Sequence, residues 1–169
     1  MAKPPRNNLE EAEDQLPDDW FPAAGRAIYI AGVIVAALDF IILQRGVFNL
    51  SAIRVAGVAL FLTGLCIYGG ARLTLGRFFS ESIRILPEHR LVRTGPYGLV
   101  RHPIYLGEIL IFLGIPIIFA SLYGFVVELV LVPMLLHRIG IEERILSRRF
   151  GQEYLEYVRR TKKLVPYIY

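Results

Sequence analysis

Four apolar stretches, residues 27–43, 52–71, 104–119 and 122–137, decide what this chain can become. The hydrocarbon core of a bilayer is roughly 30 Å thick, and about 20 apolar residues of helix cross it. The four runs lie at or a little under that length. Inside lipid each backbone N–H and C=O must find its partner within the segment, so runs of this kind are helices. The expected fold is an all-α integral membrane protein with about four transmembrane helices. The 169 residues, 54% of them hydrophobic, are one domain's worth of chain.

The connections refine this picture. Ser121 to Gly124 forms the turn between the last two runs, so the pair is a helical hairpin. Pro116 and Pro133 fall inside it and are expected to kink its arms. In the second run Gly57 and Gly64 are seven residues apart; they share a face and let another helix come close. Asp39 and Glu128 interrupt apolar runs. Glu128 is expected to face the bundle or line a cavity, and Asp39 to face the bundle or sit near the far interface. Cys66, the one cysteine, excludes an intrachain disulfide and a thiolate metal cluster, and its apolar setting suggests a buried, inert thiol.

Residues 1–25 read as a polar tail, with six carboxylates between Glu10 and Asp19 and no apolar core of a signal peptide. Trp20-Phe21-Pro22 reads as an interfacial anchor. The membrane domain is expected over residues 26–169. Within it, Leu75 to Leu86 reads as an interfacial amphipathic segment, and residues 138–160 as an amphipathic C-terminal helix that Gly151 is placed to interrupt.

A net charge of +4 raises nucleic acid as a partner, and the placement of the cations answers it. With four spans, the N-terminal tail, residues 72–102 and the C-terminal tail share one side. Every Lys and Arg except Arg45 and Arg54 lies there. The positive-inside rule puts that side, with both termini, in the cytoplasm. Anionic headgroups then account for the basic charge without any nucleic acid. In a prokaryote the membrane would be the plasma (inner) membrane.

Chemistry concentrates in residues 88–107, which mix three arginines, two histidines and two tyrosines with glycine and proline. Gly95-Pro96 and His102-Pro103 are boundary signals. Pro103 suits the first position of a helix. A polar loop therefore ends at a helix N-terminus, whose free amides favour an anionic group. The hairpin brings this loop beside the end of the fourth run, where Arg138, Glu142 and Glu143 follow. His102 and Tyr105 are three apart and Arg138 and Glu142 four apart, so each pair lies on one face.

Such a set suits a ligand carrying an ammonium, a carboxylate and an aromatic base. Glu142 could hold the ammonium or a ribose hydroxyl, and the amides near His102 the carboxylate. Tyr97 and Tyr105 offer faces to adenine or to a sulfonium. Plainer readings stand beside these. His102-Pro103 could be only a helix cap. Arg138 and Glu142 could be a surface pair worth ~0.3–0.5 kcal/mol. Tyr154 and Tyr157 read as interfacial packing. His89, His102 and His137 have no metal-ligand spacing, so no metal is expected.

The segment LVRTGPYGLVRHPIYLG, followed by RIGIEERILSRRFGQEYLEYVRRTKKLVP, resembles the isoprenylcysteine carboxyl methyltransferase family, to which the phospholipid methyltransferases are related. The likeness runs from about His89 to Pro166, roughly half the chain. It implies an integral membrane methyltransferase that uses S-adenosylmethionine. It implies cofactor contacts at His89, Arg90, Leu91, Val92, Tyr97, His102, Pro103, Ile104, Tyr105 and Glu142, with Arg138 facing the substrate beside the transferred methyl. The implied acceptor is lipophilic or lipid-anchored, and the expected reaction is carboxyl O-methylation of an isoprenylcysteine-like acid. Phospholipid headgroup N-methylation, thiol S-methylation, NADPH-dependent lipid reduction and a non-catalytic membrane role are the alternatives.

Overall fold

The structure, a computed structural model, describes residues 20–43, 51–79 and 91–166. Among these residues the α-helices are α1 (Trp20–Ile42), α2 (Ala52–Leu75), α3 (Pro103–Ile118), α4 (Leu122–Leu129), α5 (Leu131–Phe150) and α6 (Gln152–Arg160). Phe21–Ile42, Ala52–Phe78 and Leu122–Phe150 are each long and apolar enough to cross a membrane. The fourth apolar helix, α3, has 16 residues. This is the expected all-α membrane architecture.

The outer surface is that of a protein solvated by lipid. Ile34, Leu38, Ile41, Leu62, Leu65 and Val126 are all exposed. Cys66, expected to be buried, is exposed as well. In water an apolar run implies an interior position, whereas in a bilayer it also covers the outside, so hydrophobicity alone did not place this thiol.

Small residues set the helix spacing. A Cβ on Gly57 would come within 2.6 Å of the Ile118 backbone nitrogen, and one on Gly64 within 2.8 Å of the Gly107 carbonyl. The partners answer in kind: Cβ atoms on Gly107 and Gly114 would meet the backbone of Tyr68 and Phe61 at 2.8 and 2.9 Å. The shared face of Gly57 and Gly64 thus holds α2 backbone-close against α3. A similar seam joins α1 to α4, where Gly32 receives the carboxyl of Glu128 and Gly124 abuts Ala36. Glu128 is fully buried and faces the bundle as expected, and neither of its oxygens has a hydrogen-bond partner among the described residues.

At one end α3 and α4 form the expected hairpin. Ser121 caps α4, its Oγ accepting from the Gly124 N–H at 3.0 Å. Arg54 of α2, itself buried, donates from Nη1 to the Ile118 carbonyl at 2.8 Å and so satisfies one of the orphan acceptors that end α3. Between α4 and α5 the helix breaks at Val130. Pro133 has no N–H to offer the Leu129 carbonyl and its ring crowds that group, which accounts for the break. Beyond it α5 carries on through residue 138 to Phe150, so the polar residues of its second half ride on the same rod as the apolar ones. It ends at Gly151, whose φ of 50° is one a residue with a Cβ resists.

The tail before Trp20, residues 80–86 of the interfacial segment, and His89 and Arg90 lie outside the described residues. The part of that segment that is described places the Arg72 guanidinium 3.5 Å from the centre of the Phe79 ring.

Candidate functional site

The site forms where the start of α3 meets the second half of α5. Pro103 occupies the first turn of α3, and His102 stands at the N-cap with φ −124° and ψ 58°. Its side chain makes no capping bond. The buried ring turns instead toward α5, with Nε2 3.3 Å from Glu143 Oε1 and Nδ1 3.8 Å from Glu142 Oε2. The first distance is hydrogen-bonding; the second is too long for one.

The C-terminal tail holds this loop in place. Arg101 and His102 donate their backbone N–H groups to the carbonyls of Lys162 and Lys163 at 2.8 and 3.1 Å. The Arg101 side chain donates to the Thr161 carbonyl at 2.6 Å, the Val158 carbonyl at 3.3 Å and Glu143 Oε1 at 2.9 Å. Lys163 reaches the other oxygen of Glu143 at 3.0 Å. Glu143 therefore ties α5, the loop before α3 and the tail after α6 together through Arg101, His102 and Lys163.

Glu142, one residue earlier, is placed differently. Its Oε2 is buried and has no hydrogen-bond partner among the described residues. On the same face of α5, four residues back, Arg138 is buried and donates from Nε to the Tyr105 hydroxyl at 3.1 Å. That hydroxyl also lies within the field of the Glu142 carboxylate, which, after burial, does most to hold it in the neutral form. The His102 and Tyr105 rings stand 5.8 Å apart, although His102 lies ahead of the helix with a non-helical backbone and not on a shared helical face with Tyr105. From α1, Phe21 sets its ring 4.9 Å from the Arg138 guanidinium carbon.

Tyr97, in the 3-10 turn Gly95–Gly98, closes the loop side of the site. Its carbonyl accepts from the buried Tyr157 hydroxyl at 2.7 Å. Burial first, then the nearby Glu142 carboxylate and Tyr157, push the Tyr97 hydroxyl well above the ordinary phenol range. Burial likewise pushes Tyr157 up to about 12, against the opposing pull of Arg101 and Arg93. Both phenols stay neutral at physiological pH, so the Tyr157 hydroxyl keeps the proton it donates to the turn.

The residues singled out in the sequence fall into three groups. His102, Tyr105, Arg138 and Glu142 converge, and Tyr97 feels the charge of Glu142. Pro103 is fully buried and Ile104 half-buried in the first turn of α3; Leu91 and Val92 are half-buried in the irregular segment ahead of the 3-10 turn. His89 and Arg90 lie outside the described residues. Sequence reasoning missed three participants: Arg101, Lys163 and Phe21. Lys163 is remote in the chain and carries no pattern. Phe21 read only as an interfacial aromatic. Among the described residues no group of three or more His, Cys, Asp or Glu is arranged to hold a metal ion.

The donor set can be tested against S-adenosylmethionine. The orphaned Glu142 oxygen needs a donor, and the ligand offers an ammonium and ribose hydroxyls. The amides that open α3 suit its carboxylate. The rings of Tyr97 and Tyr105 suit a sulfonium or adenine. The residues present fit the group.

Residues 52–153 match the family model described as phospholipid methyltransferase. The chain is 31% identical over 115 residues to protein-S-isoprenylcysteine O-methyltransferase B of Arabidopsis thaliana, covering 66% of this chain and 58% of that protein. It is 32% identical over 117 residues to the protein-S-isoprenylcysteine O-methyltransferase of Saccharomyces cerevisiae, covering 68% and 49%. Among solved structures, the eukaryotic intramembrane Ras methyltransferase ICMT superposes with a TM-score of 0.73 at 26% identity, over 83% of this chain and 52% of that one. The chain thus spans about half the length of the relatives it matches.

Proposed function

The chain belongs to the phospholipid methyltransferase family, and from that premise we propose that it is an integral membrane enzyme that transfers a methyl group from S-adenosylmethionine to the carboxylate of an isoprenylcysteine-like or other lipophilic acceptor. The observation that carries the reading is the grouping of Arg138, Tyr105 and Glu142, in which a buried cation donates to a phenol that feels the charge of a carboxylate with an orphaned oxygen. The cation suits an anionic acceptor and the carboxylate a cationic donor. The isoprenylcysteine methyltransferases among its relatives favour this acceptor class.

In this reading Glu142 holds the cofactor's ammonium or a ribose hydroxyl, the first amides of α3 take its carboxylate, and Tyr97 and Tyr105 line the sulfonium. S-Adenosylmethionine, when bound, supplies an activated methyl carbon. Arg138 pairs with the acceptor carboxylate and aims one oxygen at that carbon. A carboxylate is already ionised, so no general base is needed, and no covalent bond to the protein forms. The buried setting of Arg138 and Tyr97 keeps water from competing. We place the site on the cytoplasmic side, where the basic residues of the chain gather.

The description of the matched family favours a second acceptor, a phospholipid headgroup amine. An amine must lose a proton, and Glu143 is engaged by Arg101, His102 and Lys163, so Glu142 would be the base. One experiment separates the two. The detergent-solubilised protein is incubated with methyl-labelled S-adenosylmethionine and a total lipid extract. Base-labile label indicates an ester and supports the carboxylate reading. Stable label in a headgroup transfers the proposal to the amine, and no label above a heat-killed control refutes both.

A further inference from the structure

Among the described residues four buried side-chain oxygens lack a hydrogen-bond partner: both of Glu128, Oε2 of Glu142 and the hydroxyl of Tyr154. The Glu128 pair is shut in the seam against Gly32. Tyr154 is different. It is 2% exposed and shares one face of α6 with Tyr157, Val158 and Thr161, while the residues between them on the helix are exposed. The polar groups beside it on that face are all engaged. The Tyr157 hydroxyl donates to the Tyr97 carbonyl at 2.7 Å, and Thr161 Oγ1 donates to the Tyr157 carbonyl at 2.7 Å. The carbonyls of Val158 and Thr161 accept from Arg101. This face of α6 is therefore docked on Tyr97 and Arg101, which flank the site. The Tyr154 hydroxyl is left over, in the field of Glu143, Arg101 and Glu142. Burial first, then the Glu143 carboxylate, hold the phenol above its ordinary range, so it keeps its proton and is a donor.

A buried hydroxyl without a partner is destabilising, and a phenyl ring would fill the same space without that cost. The two orphaned oxygens near the site also differ in kind. The Glu142 carboxylate can only accept, whereas the Tyr154 hydroxyl has a proton to give. A group that satisfies both offers an O–H to the first and an oxygen lone pair to the second. An ammonium meets half of this requirement, because it has no lone pair. A vicinal diol meets all of it, and the ribose of S-adenosylmethionine is one. We infer that Tyr154 is a further cofactor-binding residue, whose hydroxyl and the orphaned oxygen of Glu142 together hold the two ribose hydroxyls. The inference rests on the S-adenosylmethionine reading above and narrows it, giving Glu142 the ribose in place of the ammonium. Helix α6 then supplies a binding group, and its docking on Arg101 and Tyr97 sets where the ribose lies.

The test uses the full chain in detergent, with calorimetry against S-adenosylhomocysteine and its 2′-deoxy and 3′-deoxy forms. The wild type should bind at least one deoxy form about tenfold more weakly than the parent ligand. Tyr154→Phe should bind S-adenosylhomocysteine about tenfold more weakly, and should lose nothing further with the deoxy form that lacks its partner. Its ligand-free Tm should stay or rise, since the hydroxyl it removes has no partner in the protein. Tyr157→Phe should instead lower Tm, because it strips the Tyr97 carbonyl of a donor. Wild-type affinity in Tyr154→Phe overturns the inference alone, as does equal affinity of the wild type for all three ligands. So does a weakened Kd that comes with a fall in ligand-free Tm like that of Tyr157→Phe, which makes the hydroxyl structural. A loss that adds in full to that of each deoxy form also overturns it, by putting the hydroxyl on another part of the cofactor. A wild-type protein that fails to bind S-adenosylhomocysteine removes the cofactor reading and this inference with it.

Discussion

Arg138 donates from Nε to the hydroxyl of Tyr105 at 3.1 Å, across the meeting point of two helices that run in opposite directions. Tyr105 lies in the first turn of α3, and Arg138 about two turns into α5. The α3–α4 hairpin makes that meeting possible. The close α2–α3 seam keeps α3 from sliding, and the clamp around Glu143 fixes the loop ahead of it. A carboxylate and an arginine only four residues apart on one helix thus face different halves of a proposed bisubstrate site, with one phenol between them.

Arg138→Ala should therefore spare cofactor binding and abolish turnover. Removing a charge-assisted contact to the reacting carboxylate costs on the order of 10²–10³ in kcat. Arg138→Lys should not restore it, because a single ammonium cannot both reach Tyr105 and pair with a carboxylate in the plane of a guanidinium. Calorimetry with S-adenosylhomocysteine, alongside the labelled-methyl assay, checks both halves. An active Arg138→Ala variant would remove the arginine from the proposed mechanism.

Glu142→Ala should show the opposite pattern and lose the cofactor. Its buried Oε2 lacks a hydrogen-bond partner among the described residues, and a cofactor ammonium or hydroxyl would supply the donor. Glu142→Gln retains the shape but not the charge and should bind at least tenfold more weakly if the donor is an ammonium. Titration calorimetry reads this directly. Wild-type affinity in Glu142→Ala would move the cofactor elsewhere.

Much of this was legible in the chain. The apolar runs specified helices, the short link at Ser121 specified the hairpin, and helical spacing placed Arg138 with Glu142. What escaped has physical causes. Local pattern says nothing about a contact between residues far apart, so the docking of Lys163 on Glu143 and of Phe21 on Arg138 had no signal. Hydrophobicity does not separate lipid-facing from core positions, so Cys66 was misplaced. The break at Val130 sits three residues before Pro133, where the lost hydrogen bond falls rather than at the proline itself.

The α2–α3 seam makes a sharp contrast between glycines. Gly64→Ala would put a Cβ 2.8 Å from the Gly107 carbonyl and 2.9 Å from the Ile111 nitrogen, both backbone atoms that cannot rotate away. Overpacking of this kind costs about 1–3 kcal/mol. Gly69→Ala, on the same helix, meets nothing within 4 Å among the described residues and should be neutral or stabilising by up to about 1 kcal/mol through helix propensity. Thermal unfolding in detergent should lower Tm for the first and not for the second. Equal Tm values would mean that the two helices are not held backbone to backbone.

The Glu143 clamp can be opened from its cationic side. Arg101 is nearly buried, at 9% side-chain exposure, and holds Glu143 as well as the carbonyls of Val158 and Thr161. Arg101→Ala takes one donor from each of the three, Glu143 keeping His102 and Lys163, and losing a hydrogen bond to a charged group costs about 1.5–3 kcal/mol. That cost should fall locally, because the backbone pairing of Arg101 and His102 with Lys162 and Lys163 is the tail's remaining tie to this loop. The C-terminal tail should then become a trypsin target at Lys162 and Lys163, and S-adenosylhomocysteine affinity should fall as His102 loses its anchored partner. Arg101→Lys can satisfy Glu143 or a carbonyl but not all three, so it should give partial protection. Limited proteolysis with and without S-adenosylhomocysteine checks this. A tail as resistant in Arg101→Ala as in the wild type would show that the helices alone, without the clamp, hold the loop before α3 in place.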